Sequence, residues 1–208
     1  SMTPRVFIGM ATVEYMLSDC AFSFTQVVKH TSASIDTLFA NGRSNSLANS
    51  LMGFVRTARA VNASHIMLME HDHTWPEDTV LRLLAHDKPI VGATYAGRTP
   101  PHRIFGVELD MTPIDISRPE VREVMRLPLG AILIRTDVFN GWEEPLFADP
   151  WQPERGFFGT CDYAFCNRAR QSGASIWLDP QLSLELTHIA NVQVQLDGAQ
   201  VALETKVG

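Results

Sequence analysis

Alternation constrains this chain more than any other feature. Through the first hundred residues, short apolar runs rich in β-branched residues take turns with longer segments whose apolar positions recur at helical spacing. The apolar runs are "RVFIGMAT" (5–12), "ASIDTLFA" (33–40), "HIMLME" (65–70) and "PIVGATYA" (89–96). Between them lie "VEYMLSDCAFSFTQVVKHT" (13–31), "SLANSLMGFVRTARAVN" (46–62) and "PEDTVLRLLAHD" (76–87). A strand–helix alternation of this kind predicts βαβ units, hence a mostly parallel sheet covered by helices on both faces. The helix over 13–31 is expected to turn Phe22, Val27 and Val28 inward. The second run is expected to stop at an Asn-Gly turn, "NGRSN", since Asn-Gly supplies positive φ. Ser44 or Asn45 then caps the next helix, and Pro76 opens the third at its first position.

The later chain is less regular. "GRTPPHRIFGVELDMTPIDISRPE" (97–120) reads as a long excursion. "LPLGAILIRTDVFNGW" (127–142) reads as strand, turn and short helix. "DYAFCNRARQSG" (162–173) is an amphipathic helix closed by Gly173. "SIWLDP" (175–180), "LSLELTHI" (182–189) and two pieces around "DGA" in the tail read as strands. A length of 208 residues fits one domain, divided into 3–96, 97–190 and a tail from 191. Ser1 and Met2 read as a tag remnant before the native start.

Composition narrows the function classes. A net charge of −6 argues against nucleic acid as partner, since phosphate backbones call for a basic surface. Three cysteines, Cys20, Cys161 and Cys166, form no close pair, which points to reduced thiols and a cytoplasmic setting. No apolar run reaches the length of a transmembrane segment and no signal peptide opens the chain.

The chemistry concentrates in "IMLMEHDHTWPED" (66–78), where an apolar run ends in Glu70, His71, Asp72 and His73. In open α/β sheets, ligands bind beyond the carboxyl ends of the strands. Alternate residues in extended chain point to the same side, so Glu70 and Asp72 are expected to aim together while His71 points away. Paired carboxylates attract a hard divalent cation, Mn²⁺ or Mg²⁺. The same acids also read as helix-start chemistry. A metallohydrolase built on all four side chains is disfavoured, because neighbours in extended chain diverge.

The order of motifs resembles the nucleotide-sugar-dependent glycosyltransferases of the GT-A fold, in particular family 2-like bacterial and phage members. The resemblance rests on "MLMEHDHTWPEDTVLRLLAHDKPIVGATYAGR", "LGAILIRTDVF" (129–139), "GTCDYAFCNRARQSG" (159–173) and "IWLDPQLSLELTHI", in that order over residues 5–190. It implies a metal held by Glu70, Asp72 and His188, with Glu70 standing where an Asp belongs. It implies Asp162 as the general base of an inverting transfer, with Cys161 in the neighbouring acidic position. Thr12, Glu14, Arg43, Asn45 and Gly130 fall where such proteins contact the donor. Other readings of these residues stay open: a surface charge for Arg43, helix packing for Gly130, a strand-end surface residue for His188, and capping for Asp162. The aromatic stretch "GWEEPLFADPWQPERGFFG" (141–159) offers Trp151, Phe157 and Phe158 to an acceptor sugar, with Trp142 and Phe147 as packing residues. The expected partners are a nucleotide-sugar donor and a hydroxyl acceptor, and a homo-oligomer is open. A nucleotidyltransferase of similar sheet would need a Gly-rich basic loop after the first strand, which "GMATVEYML" does not contain. A non-catalytic sugar- or nucleotide-binding protein is the remaining alternative.

Overall fold

The computed structural model describes residues 4–44, 46–190, 192–197 and 200–205; the side chains of Phe157 and of residues past 190 lie outside the description, as does Asn45. In chain order the elements begin β1 (Arg5–Thr12), α1 (Ser18–Ser32), β2 (Asp36–Arg43), α2 (Leu47–Ala60) and β3 (His65–Glu70). They continue with β4 (His73–Thr74), α3 (Thr79–Ala85), β5 (Ile90–Gly92), β6 (Arg122–Val124) and β7 (Ala131–Arg135), which leads into a 3-10 turn, Thr136–Phe139. The remainder is β8 (Trp151–Gln152), β9 (Phe157–Phe158), α4 (Cys161–Gln171), β10 (Ile176–Leu178), α5 (Pro180–Glu185), β11 (Thr187–His188), β12 (Val192–Asp197) and β13 (Gln200–Thr205).

Seven strands form the central sheet in the order β2-β1-β3-β7-β5-β10-β6. β1 pairs in parallel with both β2 and β3, and β5 with β10; β7 and β6 run against their neighbours. Strand direction is therefore mostly shared, as the alternation predicts. Period-two alternation sends Val6, Ile8 and Met10 of β1 to one face and Phe7 and Ala11 to the other, and each face closes over its own apolar core. α2 covers the Phe7 face with Leu51, Phe54, Val55 and Ala58; α1 covers the opposite face with Cys20, Phe24 and Val27.

Several local expectations fail for identifiable reasons. β2 does not stop before Asn41; it runs through Gly42 to Arg43 in unbroken register with β1. Gly42 is there for space, not for a turn. A Cβ on Gly42 would lie 2.6 Å from Phe54 Cζ, and one on Gly9 of β1 would lie 2.5 Å from Phe54 Cδ2. The two glycines together admit the Phe54 ring against the sheet. Ser46, rather than Ser44 or Asn45, caps α2, its hydroxyl accepting from the Asn49 N–H at 3.4 Å. Ser44 Oγ instead accepts from the Ser46 N–H at 3.1 Å.

Phe22 is 69% exposed, because the buried stripe of α1 runs through Cys20, Ser23, Phe24, Val27 and Thr31 and leaves position 22 outside it. Val27 is buried and Val28 half-buried, as expected. α3 begins at Thr79 and not at Pro76, whose carbonyl accepts from the Thr79 N–H and hydroxyl in a preceding turn. Residues 182–189 are not one strand. Asp179 accepts from the Leu182 N–H at 2.8 Å and Pro180 follows it, a capped, proline-led start that makes α5 a helix. Only Thr187 and His188 remain extended, and they pair antiparallel with Thr74 and His73.

The excursion after β5 is pinned from within. Glu108 and Arg122, both nearly buried, form an ion pair at 2.6 Å, and Arg122 also donates to the Asp115 carbonyl at 2.7 Å. Trp142 and Phe147 pack with Phe139 and Phe165 in the core, as expected of packing residues.

Candidate active site

The carboxyl edge of the sheet gathers the chemistry. β1, β2 and β3 end there side by side, with Thr12 in register with Arg43 and Ala11 flanked by Glu70. β5 ends at the same edge, and β7, running the other way, begins there just after Gly130. β3 stops at Glu70, and His71 and Asp72 form a turn before β4 resumes with His73. That turn breaks the alternation on which the Glu70–Asp72 pairing depended.

The structure brings Asp72 and His188 together, and the side chain that joins them is His73, while Glu70 lies outside this group. Ligand-capable atoms of Asp72, His73 and His188 all lie within 4.8 Å of one another. The β4–β11 pair makes this meeting, placing His73 opposite His188. The two imidazoles stack nearly parallel, with centroids 4.3 Å apart at 6°. Tyr95 closes edge-on over both rings, at 4.2 and 5.1 Å. Gly130 belongs to this packing: a Cβ there would fall 2.7 Å from Tyr95 Oη and 3.0 Å from His73 Cε1. Its carbonyl accepts from Trp75 Nε1 at 3.2 Å. These neighbours, His73 and Tyr95, belong to β4 and to the segment after β5, not to a helix.

Proton positions follow from partners. His188 Nδ1 lies 2.8 Å from the Ala96 carbonyl, which can only accept, so that nitrogen carries a hydrogen. Nε2 then faces Asp72 Oδ2 at 3.3 Å, either as a second donor or as a free lone pair. His73 is fully buried, and burial first of all holds its pKa below the ordinary value, so it is neutral at pH 7. Its Nδ1 sits 2.8 Å from Asp72 Oδ1, a close contact whose angles do not make a hydrogen bond. Asp72 Oδ1 and both ring nitrogens of His73 are buried without a hydrogen-bond partner. Burial alone would raise the Asp72 pKa; His188 and His73 beside it outweigh burial and hold it far below the carboxylate range. Arg98, with one guanidinium nitrogen 3.2 Å from Asp72 Oδ2, supplies positive charge from the loop after β5.

Glu70 stands apart from that group. Burial, then repulsion from Asp72 and from Asp162, pushes its pKa up to about 8, so it is largely a neutral acid at pH 7. Asp162 lies in the first turn of α4, where its Oδ1 accepts from the Tyr163 N–H at 2.8 Å. Its pKa is also raised, chiefly by burial. Thr160, not Asp162, is the N-cap residue of the helix. Cys161 is buried and its thiol is pushed up to about 12 by burial and the nearby acids, so it is no nucleophile.

The remaining expected residues are placed as follows. Thr12 is buried and its hydroxyl donates to Asn41 Oδ1 at 2.8 Å. Glu14 and Arg43 are exposed at the same edge, and Asn45 lies outside the described residues. Trp151 and Phe158 are exposed by 55% and 65% on the β8–β9 hairpin, their rings edge-on at 5.1 Å; the side chain of Phe157 is outside the description. Sequence reasoning missed His73, Tyr95 and Arg98. The order "GATYAGR" directly after a strand was the available signal for the last two.

No protein-family model matches the sequence, and no curated protein matches it. Solved structures match the fold. The chain is similar to A197 from STIV, at 12% identity and TM-score 0.57 over 94% of this chain and all of that one. It is similar also to GalNAc-T7 solved with UDP, GalNAc and Mn²⁺, at 12% identity and TM-score 0.60. That match covers 90% of this chain and 43% of GalNAc-T7, so the chain spans less than half its length. The fold is GT-A-like. Identities this low carry the GT-A-like architecture and no closer kinship. Among the described residues no helix is long and apolar enough to cross a membrane.

Proposed function

We propose that this chain is a metal-dependent glycosyltransferase, family 2-like in its motif order, that moves a sugar from a UDP- or GDP-linked donor to an acceptor hydroxyl. One observation carries the reading: Asp72, His73 and His188 converge at the carboxyl edge of a GT-A-like sheet, with buried nitrogen and oxygen atoms that no protein group satisfies. Buried polar atoms without partners are costly, and one carboxylate with two imidazoles is a donor set that a divalent cation satisfies. Two nitrogen donors favour Mn²⁺ over Mg²⁺, whose preference is for oxygen. Bound there, the ion supplies positive charge that stabilises the departing nucleoside diphosphate.

The chain's own groups take the other roles. Thr12, Glu14 and Arg43 flank the donor at the ends of β1 and β2, and Arg98 offers a guanidinium to its phosphates. Asp162 takes the proton of the acceptor hydroxyl as that oxygen bonds to the anomeric carbon and the bond to the diphosphate breaks. A carboxylate with a raised pKa is a better base for that step than an ordinary one. Trp151 and Phe158 provide faces on which an acceptor sugar stacks. Three free, buried thiols fit a reducing, cytoplasmic setting.

The test is a panel of nucleotide sugars with Mn²⁺, read by thermal shift and donor hydrolysis. A shift with one donor, abolished in Asp72→Ala, is the expected result. Asp162→Asn should keep donor binding and lower transfer by about 10²–10⁴-fold. No binding to any donor sinks the proposal. Pyrophosphate release from a nucleoside triphosphate and a sugar 1-phosphate would assign a nucleotidyltransferase instead.

A further inference from the structure

A cationic loop reaches Asp72 from the segment after β5. Ala96 and Ile104 form an antiparallel bridge, and the Gly97 N–H donates to the Arg103 carbonyl at 2.9 Å. The tip between them, "RTPPHR" (98–103), is exposed throughout. The base of the loop is tied to the site, because the Ala96 carbonyl accepts the Nδ1 hydrogen of His188 at 2.8 Å. At the tip, the Arg98 guanidinium lies 3.2 Å from Asp72 Oδ2, and among the described residues this is its only ion pair.

The two oxygens of Asp72 have different neighbours. Oδ1 is buried beside His73. Oδ2 faces both His188 Nε2, at 3.3 Å, and Arg98 Nη1. Whichever oxygen a metal ion takes, a guanidinium on the same carboxylate repels it and uses part of the charge that attracts it. Asp72 is buried, whereas 46% of the Arg98 side chain is exposed, so the arginine is the partner able to leave. An ion pair with one member in water is weak enough for a divalent cation to displace. Arg98, His102 and His188 line one cavity of about 420 Å³, which keeps a guanidinium that leaves Asp72 beside the site.

We propose that Arg98 couples the metal to the donor: it holds Asp72 until a divalent cation takes the carboxylate, and the freed guanidinium then binds the diphosphate of the nucleotide. The inference rests on the metal-dependent reading of the site given above. Both ligands favour the same position of Arg98, away from Asp72. The cation does so because the docked guanidinium repels it, and the diphosphate because only the freed one can grip it. Each ligand therefore tightens the other by the same factor. A donor arriving before the metal meets a carboxylate and an arginine that is already engaged.

Titration calorimetry of the full chain with Mn²⁺, alone and with saturating UDP or GDP, tests this. Removal of a residue that merely supports a metal site weakens the site. Arg98→Ala should instead bind Mn²⁺ about tenfold more tightly than the parent when no nucleotide is present. The nucleotide that tightens Mn²⁺ in the parent should do so about tenfold less in Arg98→Ala. Arg98→Lys keeps the charge and should keep the parent's weaker Mn²⁺ affinity, while its ammonium, which lacks the planar fork, restores only part of the nucleotide effect. A parent that takes up no Mn²⁺ overturns the metal-dependent reading and this inference with it. Mn²⁺ bound by the parent, but equally or more weakly by Arg98→Ala, overturns the inference alone and leaves the metal site standing. The inference also fails alone if neither nucleotide tightens Mn²⁺ in the parent, or if one does so equally in Arg98→Ala.

Discussion

Asp72 bears a negative charge at a place where burial works against it, and neighbouring imidazoles and Arg98 keep it ionised. At Glu70, two residues earlier, burial and the charges of Asp72 and Asp162 outweigh Arg98, and it holds a proton instead. The contrast gives a measurable pH dependence. The folded pKa of Glu70, about 8, lies above its ordinary 4.5. Between those values the folded chain keeps a proton that the unfolded chain has released, so this group's contribution to stability falls as pH rises from about 4.5 to about 8. Glu70→Gln cannot lose a proton and should remove that decline. Without added metal, its melting temperature at pH 8.5 should exceed the parent's by roughly 10 °C, and the two should converge near pH 5. An unchanged difference across the series would contradict a protonated Glu70. That Asp72 and His188 would meet was legible through the order of motifs. His73 was not, because strand alternation was carried two residues too far. Nothing in "MEHDH" marks the point where β3 gives way to a turn, and that point decides which side chain joins Asp72.

At the scale of elements, the site is held by contacts between short pieces, not by long ones. β4 and β11 contribute two residues each, yet their pairing sets His73 against His188. Tyr95 and Gly130 complete the seat from two further segments. Gly130→Ala should push a methyl group into Tyr95 and His73. The expected cost is about 2 kcal/mol, roughly 5 °C in melting temperature, with Mn²⁺ binding about tenfold weaker by titration calorimetry. Stability loss with unaltered Mn²⁺ affinity would show that the His73 ring position does not matter to the metal. The long strands and helices were readable from periodicity because burial on two faces imposes it. The short pieces carry too few residues for a period. α5 was nonetheless marked by "DP", cap and first-turn proline together, and β2 continued past Asn-Gly because Phe54, distant in sequence, needed room.

The whole molecule has two apolar cores separated by one sheet. Strands β1, β3, β5, β7 and β10 contribute to both, so neither core can open without exposing the other. One domain is accordingly proposed, and calorimetry should record one cooperative transition for the chain. Two resolved transitions would divide it. That the sheet is mostly parallel and doubly covered was evident from alternation alone. Its strand order was not, since the antiparallel insertion of β7 between β3 and β5 depends on the excursion from residue 97, whose course is fixed by the Glu108–Arg122 pair and leaves no periodic trace.

The pairing of Asp72 with His188 spans 116 positions of sequence. During synthesis at about 5–20 residues per second, Asp72 and His73 of the proposed site leave the ribosome roughly 10 s before His188 exists. An ion cannot template the nascent chain, because the seat it would occupy is finished only when the last strand of the site returns to β4. Metal loading would thus report a completed fold, and an early-terminated product would remain uncharged with metal however much of its sheet had formed.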